Sequence, residues 1–343
     1  MGLIARGAYL PFTEMVLGDQ KARHVSKPEL SHHYGTRFSR NHVQERGESK
    51  ENYAATLQEA TMSLGLVSHV NRDGDILEAW FRYYCRLGVS SFHLIVHGPK
   101  EENGCLYAVK DSYPIVIEDV YQGPFDITEK TRRLNSLLPR MRGQWVVLVD
   151  SDEFVEFPNA NISTTIRMLR LAGKNALFAP MLQHLTLDGS LDTPEVVEDP
   201  FHSLPLCSVD LYQRMGVQAD IRKFPLFYCT DGTTLQEGGN HSCPIGNLAS
   251  SLQGVTHHFK FRRSVYQRLE SRIHSSHRWR HESVQFQEYL ASNANRVPTE
   301  GAFPYSRAEL FRRELLRQFT FVTGLRYLRG ITARIHSGKN ARA

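Results

Sequence analysis

Near the middle of the chain, the residues Trp145-Val146-Val147-Leu148-Val149-Asp150-Ser151-Asp152-Glu153-Phe154 pass from an apolar run directly into acid. Asp150 and Asp152 are two apart, so on an extended backbone their carboxylates share one side. Two hard oxygen ligands, with room left for waters and phosphate oxygens, suit Mg²⁺ or Mn²⁺ held together with a nucleotide. The alternative is a solvated acidic turn after an ordinary strand. A second group is His257-His258-Phe259-Lys260-Phe261-Arg262-Arg263-Ser264, whose histidines at a strand end are candidate ligands beside such a metal, or else partly buried side chains bonded to backbone. A third is the turn Asp231-Gly232 followed by Glu237-Gly238-Gly239-Asn240-His241, where paired glycines let backbone approach a ligand closely. His32 and His33 sit on a polar, loop-like stretch and read as solvated.

These residues need elements to position them. The apolar run before Asp150 is too short for a helix and reads as a strand buried on both faces, ending at the carboxyl edge where open α/β sheets bind ligands. Upstream, Met62–Val70 predicts a first strand, and Asn71-Arg72-Asp73-Gly74-Asp75 a polar turn. Ile76, Leu77, Trp80, Phe81, Tyr84 and Leu87 recur at helical spacing, Gly88 closes the helix, and Phe92–Val96 predicts a second strand, completing a right-handed βαβ unit. Pro114–Ile117 predicts a third strand. Lys130–Arg142 predicts a helix with Leu134, Leu137, Leu138 and Met141 inward and Lys130, Arg132 and Arg133 outward. The acidic motif therefore ends the fourth strand of an alternating α/β array. Ile162–Leu171 predicts a helix, Ala176–Pro180 and Gly254–Thr256 strands, Val265–Ser276 and Val284–Leu290 helices, and 183–206 a long functional loop.

The chain of 343 residues, 41% hydrophobic and 22% charged with a formal net charge of +5, has globular proportions. Its five cysteines are scattered with no C-x-x-C pair, which fits a reducing compartment and excludes a disulfide scaffold or a zinc ribbon. The first 17 residues are too short and interrupted for a signal peptide, and no run of about 18 apolar residues occurs that would span a membrane. A cytoplasmic protein is expected.

In order along the chain, the first strand, the acidic turn, Ile76-Leu77-Glu78-Ala79-Trp80, Leu87-Gly88-Val89, the Asp150-Ser151-Asp152-Glu153-Phe154 motif and His258-Phe259-Lys260-Phe261 resemble the glycosyltransferase family 2-like proteins of GT-A fold. The resemblance spans about residues 64 to 270. It implies an α/β, GT-A-type single-domain sandwich over 61–275 with a mostly parallel central sheet, an N-terminal extension over 1–60 and a basic helical tail over 276–343. It further implies that Asp150 lies near the ribose, that Asp152 binds a divalent Mn²⁺ or Mg²⁺ bridging the donor diphosphate with Asp150 beside it, and that His258 returns to the same metal. Asp73 or Asp75 would sit near the base, and Arg132 and Asn135 would face the nucleotide. Arg72-Asp73 stands where such proteins usually carry Asn-Glu, and His97-Gly98 where they often carry an acidic or Asn residue.

The implied activity is metal-dependent transfer of a hexose from a nucleotide-sugar donor to a saccharide, glycoconjugate or other hydroxyl acceptor, in polysaccharide or glycoconjugate synthesis. An inverting reaction needs a carboxylate base for the acceptor, and Asp231 and Glu237 are the candidates from the Gly-rich segment. Rival readings are a metal-dependent phosphoester hydrolase and a non-catalytic carbohydrate- or membrane-binding protein. Nucleic acid is not an expected partner. The tail interleaves Arg307, Arg312, Arg313, Arg317, Arg326 and Arg329 with Leu310, Phe311, Leu315, Phe319, Val322 and Leu325. Residues 305–335 are thus expected either to lie on an anionic membrane, at its inner face, or to pack as a helix with a solvated basic side.

Overall fold

The alternation of apolar positions in the first strands settles how the sheet is covered. The computed structural model describes residues 64–306 apart from 218, 237–239, 245–247 and 274–277. The N-terminal extension, residues 307–343 of the basic tail and Glu237 lie outside the described residues. β1 (Gly65–Val70), α1 (Leu77–Arg86) and β2 (Ser91–His97) form the expected βαβ unit, with Leu66 opposite Phe92 in a parallel ladder. α2 (Gly104–Val109) follows β2 as a short helix not expected from the sequence. β3 (Ile115–Tyr121) runs beyond Ile117, and its ladder with β2 skips Glu118 at a shift of register and resumes with Asp119 opposite Ile95. α3 (Ile127–Leu137) begins before Lys130 because the Asp126 carboxylate accepts from the amides of Thr128 and Glu129 and caps it. β4 (Trp145–Leu148) returns beside β1 in parallel.

Leu66, Val70, Leu94, Val96 and Val147 join Trp80, Phe81 and Tyr84 of α1 in one core, whereas Val67, Ile95, Val146 and Leu148 join Leu134 and Leu137 of α3 in another. Alternate residues of the same strands thus face opposite layers, which is the period-2 consequence of burying a parallel sheet on both sides. The sheet continues past β4 through β9 (Leu226–Tyr228), antiparallel to it, then β6 (Ala176–Phe178) and β10 (Leu248–Gln253). Among the described residues the strand order is β10-β6-β9-β4-β1-β2-β3. This is the mixed α/β architecture with a mostly parallel central sheet that the sequence leads one to expect.

A second sheet, β12-β8-β7-β11-β5, contains β5 (Glu153–Glu156), β7 (Met181–Leu185), β8 (Leu206–Ser208), β11 (Val255–His258) and β12 (Phe303–Pro304). The stretch 183–206 is accordingly not one long loop: β7 enters it, and the short helix α5 (Pro200–Ser203) ends it. α4 (Ile162–Leu171) lies where its period places it. A further core gathers Tyr212 of α6 (Leu211–Arg214), Phe261, Val265 and Leu269 of α7 (Val265–Ile273), and Phe286 and Leu290 of α8 (Arg278–Ser292). Packing therefore continues past residue 275, the boundary expected from sequence, because α8 supplies part of this core. Among the described residues no helix is long and apolar enough to cross a membrane.

Candidate functional site

β4 delivers Asp150 and Asp152 to the carboxyl edge of the sheet, and the chain then turns directly into β5. The turn is fixed from behind by α1: Trp80 Nε1 and the Tyr84 hydroxyl both donate to the Glu153 carbonyl, at 3.1 and 3.0 Å. The Tyr84 oxygen in turn accepts from the Val155 amide at 3.1 Å. β5 pairs antiparallel with β11, setting His258 opposite Glu153 and His257 opposite Phe154. The neighbour of β11 is thus the strand after the acidic motif rather than β4 itself.

That register joins two segments a hundred residues apart in sequence. His258 Nε2 lies 3.4 Å from Asp152 Oδ2. Its Nδ1 lies 2.9 Å from Gln183 Oε1 and 3.3 Å from the Tyr212 hydroxyl, which hold the ring with Nε2 turned toward Asp152. A ring nitrogen and a carboxylate oxygen that converge in this way are satisfied by a shared proton or by a hard cation. His257 points the other way, into a fully buried chain in which Nδ1 meets His184 Nε2 at 2.9 Å and Nε2 meets Glu156 at 3.1 Å.

At the end of β1, Arg72 adopts a left-handed backbone (φ 56°), which few non-glycine residues do, and this turn directs Asp73 back toward the motif. Asp73 accepts from the Ser151 hydroxyl at 2.5 Å and from Arg268 at 2.9 Å, and Arg268 also holds Asp152 at 2.6 Å. Asp75 is engaged by Arg262 at 2.9 Å and by Ser264 at 2.8 Å, away from the open cleft. Asp150 accepts from Lys130 at 2.6 Å and lies 3.8 Å from Lys223. Lys223 is buried, and its ammonium also meets Glu153 at 2.5 Å and Asn240 at 3.0 Å.

These partners set the charge states. Burial works to raise the Asp150 and Asp152 carboxyls, but Lys130 and Lys223 on the first, and His258 and Arg268 on the second, hold both well below the usual carboxylate range. Asp73 goes the other way, because burial together with the charge of Asp152 outweighs Arg268 and Arg262, the latter 3.2 Å away. Burial pushes the Lys260 ammonium down to about 8 against the pull of Glu282.

The cleft so formed encloses about 1010 Å³, open solvent at its mouth included, and its walls include His69, Asn71 and Phe125 beside Asp73, and Tyr212, Lys260, Arg272 and Glu282 on the side of α7 and α8. Of the residues expected from sequence, Asp73, Asp150, Asp152 and His258 line it together. Arg132 does not: it points outward and pairs with Glu129. Asn135 is spent on structure, exchanging hydrogen bonds with the Leu235 backbone at 2.7 and 3.0 Å. Asp231 lies on an exposed turn and pairs with Arg142 at 2.7 Å, so it does not reach the cleft. Lys130, expected outward, faces inward.

For a divalent cation, Asp152 and His258 form a two-residue ligand set that phosphate oxygens could complete, as is usual for Mg²⁺ at nucleotide sites. Asp150 is committed to its lysines. Among the described residues no group of three or more His, Cys, Asp or Glu side chains is arranged to hold a metal by itself.

Lys130, Arg268 and Glu282 carried a signal that was there to be read. Each shares a helical face with apolar residues three, four, seven or eight positions away: Lys130 with Leu134 and Leu137, Arg268 with Val265, and Glu282 with Phe286 and Leu290. A charge on an inward face must find a partner or line a cavity. No such pattern marks Lys223.

No protein-family model and no curated protein matches the sequence. Among solved structures, the chain is similar to TarS 1-349 of S. aureus in complex with UDP-GlcNAc, at 10% identity and a TM-score of 0.32 over 67% of this chain and 72% of that one. It is also similar to the inositol-1-phosphate CTP transferase from T. maritima, at 12% identity and a TM-score of 0.23 over 76% of this chain and 96% of that one. These superpositions are loose, and the chemistry of the cleft stands on its own geometry.

Proposed function

We propose that this protein is a glycosyltransferase that moves a sugar from a nucleotide-sugar donor to a hydroxyl of a saccharide or glycoconjugate. One observation carries the reading: Asp73, Asp150, Asp152 and His258, with Lys130, Lys223 and Arg268 among them, converge at the carboxyl edge of a mostly parallel sheet. Nucleotides bind at this edge in open α/β folds. Asp73, beside the walls formed by Asn71 and Phe125, serves the base side of the donor, and Asp150 the ribose. Arg268 and the lysines face the diphosphate, whose departure develops negative charge best met by fixed cations in a water-poor site.

Mn²⁺ or Mg²⁺ held by Asp152 and His258 would add Lewis-acid stabilisation of the leaving group. Arg268 then has two roles: it keeps Asp152 ionised and aimed, and it offers its remaining N–H groups to phosphate oxygens.

The test is release of nucleoside diphosphate from a panel of UDP-, GDP- and ADP-sugars, with and without a mixture of saccharide acceptors, in Mn²⁺ and in excess EDTA. Release is expected to require metal, and Asp152→Asn to lower it by about 10²- to 10³-fold in a protein that remains folded. Full activity of Asp152→Asn, or of the native protein in EDTA, would remove the metal from this reading. A native protein that releases nothing from any donor would remove the reading itself.

A further inference from the structure

A displacement at an anomeric carbon needs a group to take the proton of the attacking hydroxyl, and neither residue first suggested by sequence is seen to supply it: Asp231 is outside the cleft, and Glu237 is outside the described residues. The carboxylates that do line the cleft differ in how far they are committed. Asp73 is 2.9 Å from Arg268, Asp150 is 2.6 Å from Lys130, Asp152 is 2.6 Å from Arg268, and Glu153 is 2.5 Å from Lys223. Asp220 is 2.5 Å from Arg222. Each of these is a close charge-assisted pair, and a carboxylate so engaged is a weak proton acceptor because its lone pairs are spent on cations.

Glu282 is the exception among the described residues lining the cleft. Its ion-pair partner among the described residues, Lys260, donates to it over 3.4 Å. Its side chain retains 14% of its exposure. It enters from α8, on the wall built by the core of Phe261 and Phe286, whereas Asp73 and Asp150 enter from the strand ends. Lys260 is itself anchored, with its ammonium 3.7 Å from the centre of the Phe286 ring and 5.3 Å from that of Tyr212. A cation fixed over aromatic rings and too far from Glu282 for a tight pair orients the carboxylate without quenching it.

We propose that Glu282 is the catalytic base of this site, accepting the proton of the attacking hydroxyl, and that Lys260 is its positioning residue. The inference rests on the transferase reading above. In the step, the acceptor oxygen forms a bond to the anomeric carbon as the bond from that carbon to the donor phosphate oxygen breaks. The electron pair leaves with the nucleoside diphosphate, and the hydroxyl proton passes to a Glu282 carboxylate oxygen. Attack from the face opposite the leaving group inverts the anomeric carbon.

The test uses the full chain, the sugar nucleotide that the native protein turns over in the panel above, and two nucleophiles. Water must lose a proton on attack, and azide has none to lose. Glu282→Gln keeps the size of the side chain but cannot accept the proton. It is expected to release nucleoside diphosphate about 10²- to 10⁴-fold more slowly with water while KM for the donor is unchanged. With azide it is expected to form glycosyl azide at close to the native rate.

Native-level release with water by Glu282→Gln overturns the inference. So does an equal loss with water and with azide, since that pattern marks a structural role. Lys260→Met should lower kcat without altering donor KM, and a raised donor KM with native kcat would assign Lys260 to donor binding instead. Failure of the native protein to turn over any donor overturns the transferase reading and this inference with it, whereas the Glu282→Gln outcomes bear on the base alone.

Discussion

Lys223 holds together the acidic end of β4: its ammonium is buried, meets Glu153 at 2.5 Å and stands 3.8 Å from Asp150. Burial opposes its charge, but Glu153 and then Asp150 more than offset this, so its ammonium is held above the usual lysine value. Lys223→Met would leave the buried Glu153 carboxylate without its cation. The expected loss of stability is about 3 to 5 kcal/mol, read by urea unfolding. The double variant Lys223→Met/Glu153→Gln should recover much of it, and a single variant as stable as the native protein would mean that Glu153 finds another partner. At this scale the sequence was half legible. Two carboxylates at an i, i+2 spacing after an apolar run announce themselves. Which cations they meet is not announced: Lys223 carries no local signal, and the inward face of Arg268 marks a buried charge without naming a partner 195 residues away.

At the scale of elements, α1 does more than cover the sheet. Tyr84 is fully buried, gives a hydrogen bond to the Glu153 carbonyl and takes one from the Val155 amide, so one side chain fixes where β5 departs from the acidic turn. Tyr84→Phe removes both bonds and strands a buried amide, which costs about 1 to 3 kcal/mol. Because β5 carries His258 through its pairing with β11, turnover of the donor should also fall, by more than loss of folded protein accounts for. Native kcat in a folded but destabilised Tyr84→Phe would separate the turn from the chemistry.

Helical period and apolar runs revealed α1, α4 and the βαβ order, since those patterns are local. The antiparallel return of β9 and the pairing of β5 with β11 were not legible, because short strands of three or four residues carry too little pattern to name a partner. The inward face of Lys130 is legible from its spacing to Leu134 and Leu137; a cation there meets Asp150 rather than water.

For the whole molecule, the burial of neutral histidines sets a pH limit. His69 is 5% exposed at the end of β1, and His184 is fully buried between Leu204 and His257. Burial first, then Lys130 and His97 for His69 and His257 for His184, holds both well below the usual histidine value of 6.5. The folded chain therefore leaves both rings neutral where the unfolded chain protonates them. Below about pH 6.5 the unfolded state binds more protons, so stability is fully present above that pH and is lost as pH falls through it.

Each ring contributes about 1.4 kcal/mol per pH unit once below that value, so these two account for about 2 to 3 kcal/mol between pH 7.5 and 5.5. Burial of His97, His241 and His257, which also holds them below the usual value, adds to the loss in the same direction. The depressed carboxyls of Asp150 and Asp152 act in the same direction but only at lower pH, near and below their unfolded values. They therefore do not blur this window. Urea unfolding at the two pH values measures the loss directly. His184→Gln, which keeps a hydrogen-bonding side chain that does not titrate, should lose that ring's share of the pH dependence, about 1.4 kcal/mol, even if it is less stable throughout. An unfolding midpoint unchanged between pH 7.5 and 5.5 would mean that one or both rings are charged in the folded protein, and the buried chain from His184 through His257 to Glu156 would then have to be redrawn as an ion pair.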